Sequence, residues 1–202
     1  MTADRDTLRA KPGVPMVGLL LVQMIIGYEW FISGFVKIVH GDFPTGLAEE
    51  VLKKMPAAVG WYGRFVQSVV TPNAPLFGYA IEIAELLAGV VLLLGPLIWL
   101  VAWDRVSDRL RWAVLFFIAV ATIGGAFLAI NLHLLNAGSH PWLIPKDSFD
   151  EGVDLDSILP AIQLVIAWIS IVFLRRLGRT SVSSNRLNQR SRIVGADRKS
   201  VV

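Results

Sequence analysis

The stretch LFGYAIEIAELLAGVVLLLGPLIWL, residues 76–100, decides how the rest of the chain is read. Its only charges are Glu82 and Glu85, three positions apart, in an otherwise uncharged and largely apolar run. A helix needs about 20 such residues to cross roughly 30 Å of hydrocarbon at about 1.5 Å per residue. Lipid offers the backbone no water, so an open crossing segment must satisfy its own N–H and C=O groups as a helix.

Three more blocks have the same character: residues 14–39, 112–135 and 158–174. The predicted fold class is therefore all-α, a bundle of four transmembrane helices. Composition agrees: 54% of the 202 residues are hydrophobic and only 17% charged, against about 25% charged in an average soluble domain. The length allows one membrane domain, residues 14–175. A short N-terminus (1–13) precedes it, and a Ser-, Asn-, Gln- and Arg-rich tail (176–202), expected to be disordered near anionic lipid, follows it. Arg5, Arg9 and Lys11 precede the first block in the manner of a signal peptide. The block is too long for a signal h-region and lacks a small-residue cleavage site, so it is read as a retained helix. There is no cysteine, which removes disulfides, zinc–thiolate sites, Cys-ligated clusters and cysteine nucleophiles together. A formal charge of +3 gives no reason to expect nucleic acid as a partner.

Orientation follows from where the basic residues lie. Arg5, Arg9 and Lys11 precede span 1. Arg105, Arg109 and Arg111 sit between spans 2 and 3. Arg175, Arg176 and Arg179 open a tail with five more, so fourteen of the nineteen Lys and Arg fall on one side. The segment before span 4 carries Lys146 against Asp147, Asp150, Glu151, Asp154 and Asp156. Both termini are expected in the cytoplasm of a cell (plasma) membrane protein, with residues 40–75 and 136–157 outside. Trp99, Trp103 and Trp112 bracket the inner loop and Trp61 and Trp142 the outer ones, as interfacial tryptophans do.

The first outer loop reads as structured. Gly46 to Met55 is expected to form a short helix with Glu49–Glu50 and Lys53–Lys54. Trp61 to Val70 places Trp61, Phe65 and Val69 on one face, the pattern of an amphipathic helix lying on lipid or capping the bundle. Pro72 and Pro75 are expected to break it before span 2. On span 3, Ala121, Gly125 and Ala129 form a small-residue stripe, read as bundle packing.

Polar groups inside a span are expensive and each raises a question of function. They are Gln23, Glu29 and Lys37 on span 1, Glu82 and Glu85 on span 2, Asn131 and His133 on span 3, and Gln163 on span 4. Counted from the outer end, Glu29 lies roughly 15 Å in, Glu85 roughly 14 Å, Glu82 roughly 9 Å, Asn131 and Gln163 about 6–8 Å, and Lys37 and His133 about 3 Å. All but Gln23 thus gather in the outer half, from all four spans. Glu29, Ser33 and Lys37 repeat every four residues on one face, and Glu82 shares a face with Glu85. Lys37 is placed to neutralise one carboxylate. A carboxyl buried without a partner favours its neutral form, and a neutral carboxyl can donate or pass a proton. The bland alternative is structural ion pairing, with Lys37 and His133 snorkelling to the interface. His40, His133 and His140 lack ligand-like spacing, so no metal is expected. No haem attachment motif, Gly-rich phosphate loop or G-x-S-x-G elbow is present.

The segment Trp30-Phe31-Ile32-Ser33-Gly34-Phe35-Val36-Lys37 resembles the helix-1 signature of the DoxX/DoxD family of membrane proteins. Trp61-Tyr62 with Phe65, then Pro72-Asn73-Ala74 and Phe77-Gly78, is similar to that family's outer loop. Glu85 with Gly89 and the run Leu92-Leu93-Leu94-Gly95 resembles its helix-2 signature, and Gly138-Ser139 before Pro141 the segment after helix 3. The resemblance covers roughly residues 16–175. It implies a four-helix membrane domain, and one family member is a subunit of a thiosulfate:quinone oxidoreductase that works with a second subunit. Activity has to be argued from the site.

The expectation is a quinone-interacting subunit of a membrane oxidoreductase system. Glu29 and Glu85 would handle protons, and Lys37 would balance charge or contact an anionic donor. Tyr28 or Trp30 would pack on the quinone ring, beside Glu82, Gly89, Asn131 and Gln163. Expected partners are membrane lipid and a second oxidoreductase subunit or soluble redox protein. The alternative is a non-catalytic membrane anchor or scaffold for a soluble redox enzyme. A transporter is the third reading, disfavoured because inverted repeats and broken helices are not visible.

Overall fold

The computed structural model describes residues 13–136 and 158–178, and among these there are helices and turns but no strand. We number the helices α1 (Val14–His40), α2 (Phe43–Lys54), α3 (Gly60–Phe65), α4 (Ala74–Ala102), α5 (Asp108–Asn136) and α6 (Ile158–Gly178). Four helical stretches are long and apolar enough to cross a membrane: α1, the path from Gly60 through α4, α5, and α6. The expected spans are thus all present as helices, and α6 runs on to Gly178, past the expected boundary at 175. The expectations for the N-terminal segment, for Gly138, Ser139, His140, Pro141 and Trp142, for the acidic segment before span 4 and for the tail from Arg179 lie outside the described residues.

Glycine sets how closely α1 and α4 approach, and this pair makes the most extensive contact among α1 to α5. A methyl group at Gly27 of α1 would sit 2.8 Å from the carbonyl carbon of Leu92 on α4. One at Gly34 would overlap the backbone nitrogen of Leu86, and one at Gly89 of α4 would overlap the backbone of Phe31. The notches alternate between partners, so the two backbones touch along several turns. In lipid, where burial of apolar surface gains little, such close dispersion contact is what holds helices together.

At one end of the bundle, α4 and α5 join through a tight turn clamped by Arg111. Its side chain is only 2% exposed. Nε and Nη2 donate to the Trp103 carbonyl at 3.0 and 2.7 Å, and Nη1 to Asp108 Oδ1 at 2.5 Å. The guanidinium thus satisfies a carbonyl that the end of α4 leaves without an intrahelical partner. Trp99 stacks on Trp103 at 4.2 Å between centroids, and Phe173 of α6 meets Trp99 edge-on. Arg111, counted above with the loop cations, is therefore committed to the fold at this end.

The opposite end carries a cap. α1 stops at Gly41, whose φ of 72° lets the chain turn back while its N–H bonds the Lys37 carbonyl at 2.9 Å. α2 begins at Phe43, three residues before the expected Gly46, because Pro44 occupies its first turn, where a missing N–H costs nothing. Glu49–Lys53 and Glu50–Lys54 then pair at 2.9 and 3.9 Å along its exposed side. Pro72 and Pro75 do not break the helical path as expected. α3 runs through a π turn (Val66–Val70) and a 3-10 turn (Thr71–Asn73) straight into α4, with each proline at the start of a segment. Trp61, Phe65 and Val69 are the exposed face of this path, while Tyr62 and Val66 turn inward onto Leu47, Val51, Ala74 and Leu135.

Candidate functional site

The cap encloses a cavity of about 450 Å³ over the ends of α1, α4 and α5. Its walls are mostly aliphatic and aromatic, with Phe43, Phe77 and Phe127 among them. Trp30, Ala129 and Leu159 contribute from deeper in the bundle. Glu29, Phe65, Phe127 and Leu132 line it and are also exposed.

One wall is polar. α1 presents Ser33 and Lys37 one turn apart, and α4 presents Glu85 opposite them. Lys37 Nζ forms an ion pair with Glu85 Oε2 and donates to Ser33 Oγ at 2.9 Å. Ser33 Oγ donates to the same carboxylate oxygen at 2.9 Å. The Glu85 side chain is 3% exposed and that of Lys37 22%, so the charge pair is shielded on the carboxylate side and open on the ammonium side. Lys37 also lies 4.9 Å above the Phe43 ring. Two of its three N–H donors are spent on Ser33 and Glu85, leaving one for a ligand. Elsewhere on the wall, Tyr62 of α3 donates to Asn131 Oδ1 on α5 at 2.9 Å, and Asn131 Nδ2 donates to the Phe127 carbonyl. This bond ties the cap to the bundle at the cavity edge.

Of the residues singled out from sequence, Glu29, Trp30, Lys37, Glu85 and Asn131 line this cavity. Four do not. Tyr28 is 59% exposed on another face of α1, about 200° around the helix from Trp30. Glu82 is buried at 5% but is not among the cavity's lining residues. Gly89, expected to leave room for a ligand ring, is filled by the Phe31 backbone. Gln163 is fully buried beside Gly125, beyond the cavity floor. His133 is buried at 1% and does not snorkel outward. The stripe of Ala121, Gly125 and Ala129 does serve packing, with Gly125 against Gln163 and Trp30.

Sequence reading missed Tyr62 and gave Ser33 no role of its own. Tyr62 had a usable signal: Tyr62 and Val66, four apart, form the second apolar face of the same helix. The chain matches no family model, no curated protein and no solved structure.

Proposed function

We propose that this chain is a DoxX/DoxD-like multi-pass protein of the cell membrane that binds a quinone, as the membrane subunit of an oxidoreductase system. The observation that carries the reading is the cavity: about 450 Å³, walled mostly by aromatic and aliphatic side chains, with the buried Glu85 carboxylate held on one wall by Ser33 and the partly exposed Lys37. Pockets for flat organic ligands have this make-up, a mostly apolar container with a few fixed polar groups. The residues fit a quinone ring: flat side chains to lie against it, and an ammonium with one spare donor for an oxygen. A bound quinone supplies an electron acceptor whose reduction takes up protons. The chain's part is then to hold the ring, exclude water and deliver a proton. Lys37 holds its remaining N–H towards the cavity. Glu85, joined to Ser33 and Lys37, is the carboxyl able to pass a proton at that point.

The test is direct titration of the purified protein in detergent with a short-chain ubiquinone and a short-chain menaquinone. We expect saturable binding of at least one, and Glu85→Gln to lower quinone-linked reduction at least tenfold while the protein still folds. Glu82→Gln, changed outside the cavity, should have less effect. Gln keeps the shape of Glu85 but cannot take up a proton and pass it on. A parent protein without saturable quinone binding moves the reading to the scaffold alternative.

Orientation belongs to the same proposal. The basic residues place the α4–α5 turn and both termini in the cytoplasm and the cap outside. Reporters fused near Pro44 and Asp150 should therefore register outside, and those near Ser107 and Ser183 inside. A cytoplasmic signal at Pro44 would turn the bundle over and put the cavity in the other leaflet.

A further inference from the structure

The cavity wall on α5 continues past the cavity. Leu128, Asn131 and Leu135 line the cavity. Gly124 and Phe117, one turn and three turns before Leu128, belong to the same stripe of the helix, all five positions falling within about 60° of one another. Gly124 and Phe117 lie outside the cavity and both are exposed, Phe117 at 54%. Phe127, beside Leu128, stands at the junction: it lines the cavity and is 65% exposed. Nothing lies within 4 Å of a methyl built on Gly124, so the stripe is dented there, between Phe117 and Leu128. α5 is long and apolar enough to cross a membrane, and Gly124 falls near its middle. Its exposed neighbours Val120 and Ile123 are apolar too. In a spanning helix this surface meets acyl chains and not water.

The size of the cavity points the same way. At about 450 Å³ it is towards the lower end of pockets for small organic ligands, about 300–1,000 Å³. That is room for a substituted ring, and too little for a long tail as well. A tail sent outward past the paired Glu50 and Lys54 of the cap, which also line the cavity, would enter water, at a loss for every methylene. A tail sent along α5 stays in hydrocarbon.

We propose that the ligand is a head-and-tail quinone, with its ring in the cavity and its long apolar tail lying along α5 in the dent at Gly124. The inference rests on the quinone reading and deepens it, because recognition then extends from the ring to the tail. From Leu128 to Phe117 the stripe measures about 16 Å along the helix axis, a path for a tail of several isoprene units. Lipid is as apolar as the stripe, so the gain is close dispersion contact with the dent and not burial from water.

The test uses the purified full chain in mixed micelles, with quinone concentrations taken per mole of detergent. A long-tailed ubiquinone carrying a photoreactive diazirine within the tail is crosslinked to the parent and the labelled peptides are mapped, with and without excess short-tailed ubiquinone. Long- and short-tailed ubiquinones are also titrated into the parent and into Gly124→Phe, which fills the dent on an open surface. We expect labelling between Phe117 and Leu128 that the short-tailed quinone displaces. We also expect Gly124→Phe to bind the long-tailed quinone roughly fivefold more weakly, the worth of several lost dispersion contacts, and the short-tailed one as the parent does. If Gly124→Phe lowers the thermal midpoint, Gly124→Leu is read in the same way. Labelling of the cap between Phe43 and Lys54 overturns this inference alone, as does α5 labelling that the short-tailed quinone does not displace, the result expected of a tail free in the micelle. Unchanged affinity of the variant for the long-tailed quinone, or an equal loss for both quinones, likewise overturns it. A parent that binds neither quinone overturns the reading of the whole site, and this inference with it.

Discussion

Lys37→Met should cost about 3 kcal/mol of stability, because it strands the Glu85 carboxylate in the bundle. Glu85 is 97% shielded, and the two groups that hold its Oε2 are Ser33 and Lys37. Removing the ammonium leaves a charge that a single hydroxyl cannot compensate. The double variant Lys37→Met/Glu85→Met should recover most of the loss, since replacing a whole buried pair by apolar groups is often neutral. The check is the unfolding midpoint of all three proteins in mixed micelles. Under the proposed function the double variant folds and yet holds no quinone, which separates the stability of the wall from its chemistry. A Lys37→Met protein as stable as the parent would mean that the ammonium is held by the interface and not by Glu85.

Gly89→Val should cost at least as much, about 3 kcal/mol or more, and lower the yield of monodisperse protein. A side chain there meets the main chain of Phe31 rather than the tip of a flexible side chain, so relief requires moving one helix off the other. Gly124→Val on α5 is the matched control. Nothing lies within 4 Å of a methyl at Gly124, and a side chain there relieves the entropy of a glycine in a helix interior. It should be neutral or slightly stabilising. Equal behaviour of the two variants in thermal unfolding would show that α1 and α4 are not in backbone contact.

The spans were legible because hydrocarbon imposes a length and a composition, and both are properties of single segments. That Glu29, Lys37, Glu85 and Asn131 come to one cavity was legible in part for the same reason, as depth depends only on counting along each helix. What was not legible depends on rotation and on neighbours. Glu82 and Glu85 differ by about 60° around α4, which is enough to put Glu85 on the cavity wall and to leave Glu82 buried outside it. Gly89 could equally admit a ligand or a helix, and the sequence does not say which neighbour takes the space. The separation of Tyr28 from Trp30 was available, since residues two apart face nearly opposite ways on a helix. The buried role of Arg111 was hidden because a cation that ends a helix looks the same in sequence as one that faces the cytoplasm.

The π turn at Val66–Val70 has a consequence for how the cap is aligned. A π turn holds more residues per turn than an α-helix, in effect one added to a continuous screw. Each residue added to or taken from a helix advances everything beyond it by about 100°. Winding the same five residues as an α turn would swing the Tyr62 hydroxyl away from Asn131 by about 100°, although no contacting side chain had changed. The Tyr62–Asn131 latch is therefore timed by chain length, as the thread of a bolt fixes which way its head points, and substitution alone cannot reset it.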